Sequence, residues 1–218
     1  MRISTFNVQN FYLKENENID EYYNKLSKFI KTYSIDIIGM QEVVKELYNK
    51  FDKIIGKPRM IINSKYNEYN PIYSKYEAVR EKTYHLPVLN SFIPRIATVA
   101  VYNANGKIIR IINTHLALYK YHFVKRLEFK KLIKIIEKEN IPTILIGDLN
   151  LRKESSDLKY FKEELSKIDM KLVENTSSTY KNEILDFVFV SKYMEYKNVK
   201  VIGNKLSDHK ALICDIVL

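Results

Sequence analysis

The stretch IATVAVYNANGKIIRIINTHL constrains the fold more than any other part of the chain. Two β-forming runs meet at Asn105-Gly106, a dipeptide that accepts the positive backbone angles of a tight turn between antiparallel strands. A β-hairpin is expected there. Around it, short apolar runs alternate with amphipathic segments, the pattern of mixed α/β structure. RISTFNV reads as the first strand. Tyr22, Leu26, Phe29, Ile30 and Tyr33 recur at helical spacing and predict an amphipathic helix over residues 19–33. SIDIIGMQEV reads as a buried strand ending in polar residues, and VVKELYNKF as a short helix after it. Phe129, Leu132, Ile133 and Ile136 mark the buried stripe of a second long helix. Its lysines, over Lys125–Lys138, are read as a solvated face rather than a nucleic-acid track. Pro142 returns the chain to a strand, and ILDFVFVS, NVKVIG and HKALICDIVL supply three more. Residues 63–76, NSKYNEYNPIYSKY, look least structured and suit a binding loop or a surface connection. No internal repeat, low-complexity block or dividing linker interrupts the 218 residues, so a single domain over 1–218 is expected.

Composition narrows the partners. The net charge of +10 favours an anionic ligand such as nucleic acid, a phosphorylated metabolite or anionic lipid. The same charge accompanies heavy use of Lys, Asn, Ile and Tyr and no Trp, a bias that AT-rich coding produces without selection for a ligand. MRISTFNVQNFYLKEN has no apolar core of the signal-peptide kind, and no long uncharged apolar run occurs later. A monomer in the cytoplasm, without a membrane span or stable membrane association, is expected. Cys214 is the lone cysteine, so it forms no internal disulfide; within ALICDIVL it reads as a small core residue.

Polar residues recur where the apolar runs end. The first strand runs into Asn7, the second into Gln41-Glu42, the hairpin into Asn113-Thr114-His115, and the next into Asp148-x-Asn150. Asp186 stands alone inside ILDFVFV, and Ser207-Asp208-His209 precedes the last strand. Each has an ordinary structural reading. Asn7, Asp148, Asn150 and Asp208 suit turns, Glu42 suits a helix start, and His115 suits a strand end. Asp186 is different, because an acid in an apolar strand requires a partner. The coincidence of six such positions favours a shared site.

Carboxylates, amides and two histidines, with no cysteine cluster, suit a hard divalent cation, Mg2+ or Mn2+. Glu42 and a second acid suffice to bind one. Asp148 can position or deprotonate a water while Asn7 and Asn150 hold phosphate oxygens. A protonated histidine would stabilise charge gathering on phosphorus. Asp186 and His209 can form an orienting pair, the acid setting the tautomer and raising the imidazole's pKa.

The motifs TFN, QE, SKY (74–76), NTHL, GDLN, LDFVF and SDH, in that order, resemble the endonuclease/exonuclease/phosphatase superfamily, from Asn7 to His209. The resemblance implies a DNase I-like four-layer α/β sandwich, two mixed β-sheets packed face to face with helices outside. It implies that Glu42 binds metal with Asn7 beside it and Asp208 near, and that Asp148 aligns the attacking water with Asn150 as its phosphate-orienting companion. His115 corresponds to the histidine on the scissile phosphate, and His209 to that of the closing motif, with Asp186 as its acid. GDLNLR, and THL followed by Arg126, are similar to tyrosyl-DNA phosphodiesterases, which makes Arg126 a candidate substrate contact. Phe129 stands where the family's R-x-x-Q pattern has Gln, and Glu77 is the one acid to offer as partner for His115. The expected activity is metal-dependent hydrolysis of phosphodiesters in nucleic acid. The alternatives are the same chemistry on phospholipid or inositol phosphates, and an inactive phosphate- or nucleic-acid-binding module.

Overall fold

The computed structural model describes residues 1–9, 18–56, 59–60, 67–88, 94–118 and 120–217. Two six-stranded sheets form its centre. The first runs, edge to edge, through Glu195–Ile202 (β13), Ala211–Val217 (β14), Arg2–Asn7 (β1), Ile37–Gln41 (β2), Ile72–Ser74 (β6) and Ile54–Ile55 (β3). The second runs through Met170–Leu172 (β11), Asp186–Ser191 (β12), Thr143–Asp148 (β10), Lys107–His115 (β9), Ile96–Ala104 (β8) and Ala78–His85 (β7). Arg59–Met60 (β4) and Asn67–Glu68 (β5) form a separate two-stranded sheet. The expected face-to-face pair of mixed sheets with helices outside is therefore the observed architecture.

Alternation along the strands sorts side chains into three cores. Ile3, Ile37, Ile111, Ile146, Val188 and Leu212 meet between the sheets. Phe6, Ile38, Met40 and Ile213 point outward to Ile19–Thr32 (α1) and Lys45–Tyr48 (α2). Ile112, Leu145 and Phe189 point the other way, to His122–Glu137 (α3) and Ser156–Ser166 (α4). Helix α1 starts where Asn18 accepts the N–H groups of Asp20 and Glu21, and it buries Tyr22, Leu26, Phe29 and Ile30, as the spacing predicts.

Three expectations are corrected. Helix α3 buries Ile135, with Ile133 only partly covered, because its stripe also carries Lys125 and Glu128 inward. Lys125 is thus not on the solvated face; it is 1% exposed. Of the segment 63–76, residues 63–66 lie outside the described residues, while the rest includes β5 and β6. Helix α4 was not among the expected elements, although the chain carries its signal: Ser155 caps it, and Leu158, Phe161 and Leu165 recur at helical spacing. Among the described residues, no helix is long and apolar enough to cross a membrane.

Topology places the polar strand ends together. β1 and β2 run parallel, as do β9 and β10, so their C-terminal ends share one edge of the sandwich. β12 and β14 run antiparallel to those neighbours, so they begin at that edge. The ends of four strands and the starts of two therefore converge.

Candidate active site

Strand β10 approaches β9 so closely that a Cβ on Gly147 would lie 1.9 Å from the Thr114 carbonyl oxygen, and Gly147 has φ +153°. Only glycine fits there. The next residue, Asp148, ends the strand opposite both His115 and Asp186. Asn150 then turns the chain with φ 50°, and its N–H donates to Asp148 Oδ1 at 3.0 Å. This fixes one carboxylate oxygen and leaves Oδ2 facing the site. The Asn150 amide Nδ2 donates to the Leu116 carbonyl at 3.0 Å.

Around Asp148 Oδ2 stand three groups. Asn7 Nδ2 donates to it at 3.1 Å, His115 Nε2 lies at 3.6 Å and His209 Nε2 at 3.7 Å. Asn7 Nδ2 also donates to Glu42 Oε1 at 3.0 Å, while its Oδ1 accepts the Gln9 N–H. Glu42 has φ 56°, a conformation unfavourable for a long side chain. Its Oε2 is buried and has no hydrogen-bond partner among the described residues.

His209 Nδ1 is 2.9 Å from Asp186 Oδ2, and Asp186 is fully buried. The isolated acid of β12 thus has the partner its environment requires. Burial works to lower the His209 pKa, but the Asp186 hydrogen bond and charge, with Asp148 and Asp208, outweigh it and push the imidazole up to about 9. Burial pushes Asp186 up, and the His209 hydrogen bond and charge oppose it. Tyr180 packs its ring 4.6 Å from that of His209. Ser207 Oγ donates to the Asn7 carbonyl, tying the closing loop to β1. Asp208 is exposed and accepts Gln9 Nε2 at 2.9 Å.

Asn7, Glu42, His115, Asp148, Asn150, Asp186 and His209 are therefore brought together, with Asp208 at the rim. Arg126 Nε donates to Asp157, and its guanidinium covers the Tyr160 ring. Glu77 is corrected as the partner of His115. It is exposed and faces Lys53, whereas His115 Nδ1 lies 3.0 Å from Arg95 Nη1 and 4.0 Å from Glu42 Oε1. Phe129 stacks on Phe161 in the outer core. One position before Arg126 and Phe129 respectively, Lys125 Nζ donates to the Asn150 carbonyl and Glu128 accepts the Ala117 N–H. A polar lock joins the sheets below the site, where Gln41 Nε2 donates to Asn113 Oδ1 at 2.7 Å and Asn113 Nδ2 donates to the Met40 and Pro71 carbonyls. Arg95 and Lys125 carry no local motif; a charged residue on an apolar helix face was the one available signal, and it pointed to Lys125.

A divalent cation fits this donor set. The buried Glu42 oxygen, without a partner among the described residues and beside the amide of Asn7, is the arrangement a hard ion completes. Asp148, Asp186 and His209 also hold ligand atoms within 4.8 Å of one another; there Asp186 Oδ2 is engaged by His209 Nδ1, while Oδ1 is buried with no hydrogen-bond partner among the described residues.

The model of the Endonuclease/Exonuclease/phosphatase family matches residues 4–209. Among solved structures, an endonuclease/exonuclease/phosphatase from Bacteroides vulgatus has a TM-score of 0.81 at 24% identity, over 100% of this chain and 98% of its own. A Bacteroides thetaiotaomicron mannosyl-6-phosphatase has a TM-score of 0.74 at 16% identity, over 100% of both chains. D. rerio TDP2, complexed with single strand DNA product, has a TM-score of 0.78 at 15% identity, over 100% and 99%. At these identities the likeness is one of fold. No curated protein matches the sequence significantly.

Proposed function

Because the chain belongs to the endonuclease/exonuclease/phosphatase family, we propose that it is a Mg2+- or Mn2+-dependent phosphoesterase that hydrolyses phosphodiester bonds in nucleic acid. The observation that carries this reading is the direction of both imidazole Nε2 atoms, of His115 and His209, toward Asp148 Oδ2 at 3.6 and 3.7 Å. A tetrahedral phosphate placed between the two rings meets nitrogen on two sides and a carboxylate on the third. The net charge of +10 supports a polyanionic substrate.

Each residue then has a role. Asp148, held by Asn7 and the Asn150 N–H, orients water and takes its proton as the water oxygen bonds to phosphorus. His209, protonated against Asp186, gives a proton from Nε2 to the departing oxygen as its bond to phosphorus breaks. His115 holds a non-bridging oxygen. Glu42 would hold the cation, with Asn7 adjacent and Asp208 at the rim. The ion, when bound, neutralises charge on the phosphate oxygens.

The two-histidine cradle also suits a terminal phosphate, and the likeness to a mannosyl-6-phosphatase keeps a phosphomonoesterase reading second. A substrate panel separates them: single- and double-stranded DNA, RNA, 5′-phosphotyrosyl DNA, sphingomyelin, an inositol polyphosphate and mannose 6-phosphate, each with Mg2+ or Mn2+. Hydrolysis of nucleic acid, abolished by EDTA and reduced about 100-fold or more by Asp148→Asn, is expected. Activity confined to lipid, inositol or sugar phosphates would overturn the nucleic-acid assignment. Activity that survives both EDTA and Asp148→Asn would overturn the mechanism.

A further inference from the structure

We propose that Arg95 is a positioning residue that fixes His115 as a hydrogen-bond donor through Nε2, so that the two histidines of the site have different chemical duties. The inference rests on the phosphoesterase reading for its consequence, but not for its geometry.

Arg95 is 5% exposed and immediately precedes β8. Its carbonyl accepts the Leu86 N–H at 2.9 Å, which extends the β7–β8 pairing past His85 and Ile96. Across the hairpin, Ala97 lies opposite Thr114, and Thr114 Oγ1 donates to the Ile96 carbonyl. The β8–β9 register thus carries Arg95 to the side of His115, where Nη1 and Nδ1 are 3.0 Å apart.

A guanidinium has donors and no acceptor. His115 Nδ1 therefore presents its lone pair to Arg95 at 3.0 Å, with Glu42 Oε1 beyond hydrogen-bond reach at 4.0 Å, and the ring proton is assigned to Nε2, the nitrogen that faces Asp148 Oδ2. His209 is wired in the opposite sense. Its Nδ1 faces the Asp186 carboxylate, which accepts, so Nδ1 carries a proton and Nε2 is the position that gives one up. One histidine has an acid behind it and shuttles protons. The other has the Arg95 guanidinium within hydrogen-bond reach, with the Glu42 carboxylate farther off, and holds an oxygen. A neutral imidazole presenting Nε2–H can stabilise developing charge without becoming the leaving group's acid.

The tautomer is directly measurable. In uniformly 15N-labelled, metal-free protein, long-range 1H–15N correlations distinguish protonated from unprotonated ring nitrogens of the four histidines. His115 is identified by the signals lost in His115→Asn. We expect its Nδ1 unprotonated and its Nε2 protonated in the native protein, and a loss of that bias in Arg95→Met. Arg95→Lys restores a donor and should restore the bias. With bis(4-nitrophenyl) phosphate and Mn2+, Arg95→Met should lower kcat about tenfold or more, with KM changed far less, and Arg95→Lys should recover part of it. A native His115 protonated at Nδ1, or a tautomer unchanged in a folded Arg95→Met, overturns the proposal. Should Arg95→Met fail to fold, the native spectrum alone decides it. Absence of turnover in every variant counts against the phosphoesterase reading only, since the tautomer is read without substrate.

Discussion

Lys125 Nζ donates a 2.7 Å hydrogen bond to the backbone carbonyl oxygen of Asn150, from a helix position that is fully buried. Burial lowers the pKa of this amine, opposed by the charges of Asp157, Glu128 and Asp148. The bond supports a residue at φ 50° whose own N–H holds Asp148. Lys125→Met keeps the aliphatic stem but leaves that carbonyl buried without its donor. A loss of about 1–3 kcal/mol in urea denaturation is expected, with a lower kcat. Unchanged kcat would show that the Asn150 turn holds its geometry alone.

Asp157 gathers Lys125, Arg126 and His122, with contacts of 3.8, 3.1 and 2.6 Å. Burial works to raise its carboxyl, but the His122 and Arg126 hydrogen bonds and the Lys125 charge outweigh it and leave the pKa below the usual value. Its contribution is therefore present above the unfolded value of about 3.9 and is lost as pH falls through the lower, folded value. Asp157→Asn strands a buried ammonium and should cost about 3–5 kcal/mol at neutral pH. The gap between variant and native stability should narrow toward pH 3; a constant gap would deny the charge its role.

His209 should titrate near 9 in metal-free protein, followed by NMR. In Asp186→Asn, burial is no longer offset by the paired carboxylate, and the value should drop toward about 6.5. Because the folded value is raised, protonated His209 stabilises the native state fully below about pH 6.5, and this contribution disappears as pH rises through about 9. Equal titration in both proteins would break the assigned pair.

Cys214 lies within β14, and burial, with a smaller contribution from Asp215, pushes its thiol up to about 12. A thiol reagent at pH 8 should fail to label the native protein and label it stoichiometrically in denaturant. Rapid native labelling would contradict the packing of β14 between β1 and β13.

Gly147→Ala forces a Cβ against the Thr114 carbonyl at a positive φ. The β9–β10 pairing must open to admit it, at a cost of about 3 kcal/mol or more. Circular dichroism and thermal melting would register this as loss of the folded state or a much lower Tm.

Asp148-Leu149-Asn150 shows where sequence reasoning succeeds and where it stops. The local chemistry of Gly-Asp-x-Asn announces a turn after a strand, and the turn is present, with the Asp148 side chain accepting the Asn150 N–H. That the turn belongs to a site depended on residues far along the chain, and the order of motifs from Asn7 to His209 made the grouping legible. The pairing of Asp186 with His209 was also legible, since an acid in an apolar strand demands a partner. The partner of His115 was not. Glu77 lies away from it, and nothing in the sequence gives a reason for a buried arginine to approach a histidine.

What the sequence determined by itself was the alternation of elements, the hairpin at Asn105-Gly106, and the types of side chain at strand ends. These arise from local sterics and from periodic burial, which act within a few residues. Only the tertiary structure decided that parallel β1–β2 and β9–β10 bring those ends to one edge, that Lys125 turns inward to Asn150, and that Arg95 stands behind His115. Such contacts come from strand register and packing between segments widely separated in the chain, and a linear pattern carries no record of which distant segment will become a neighbour.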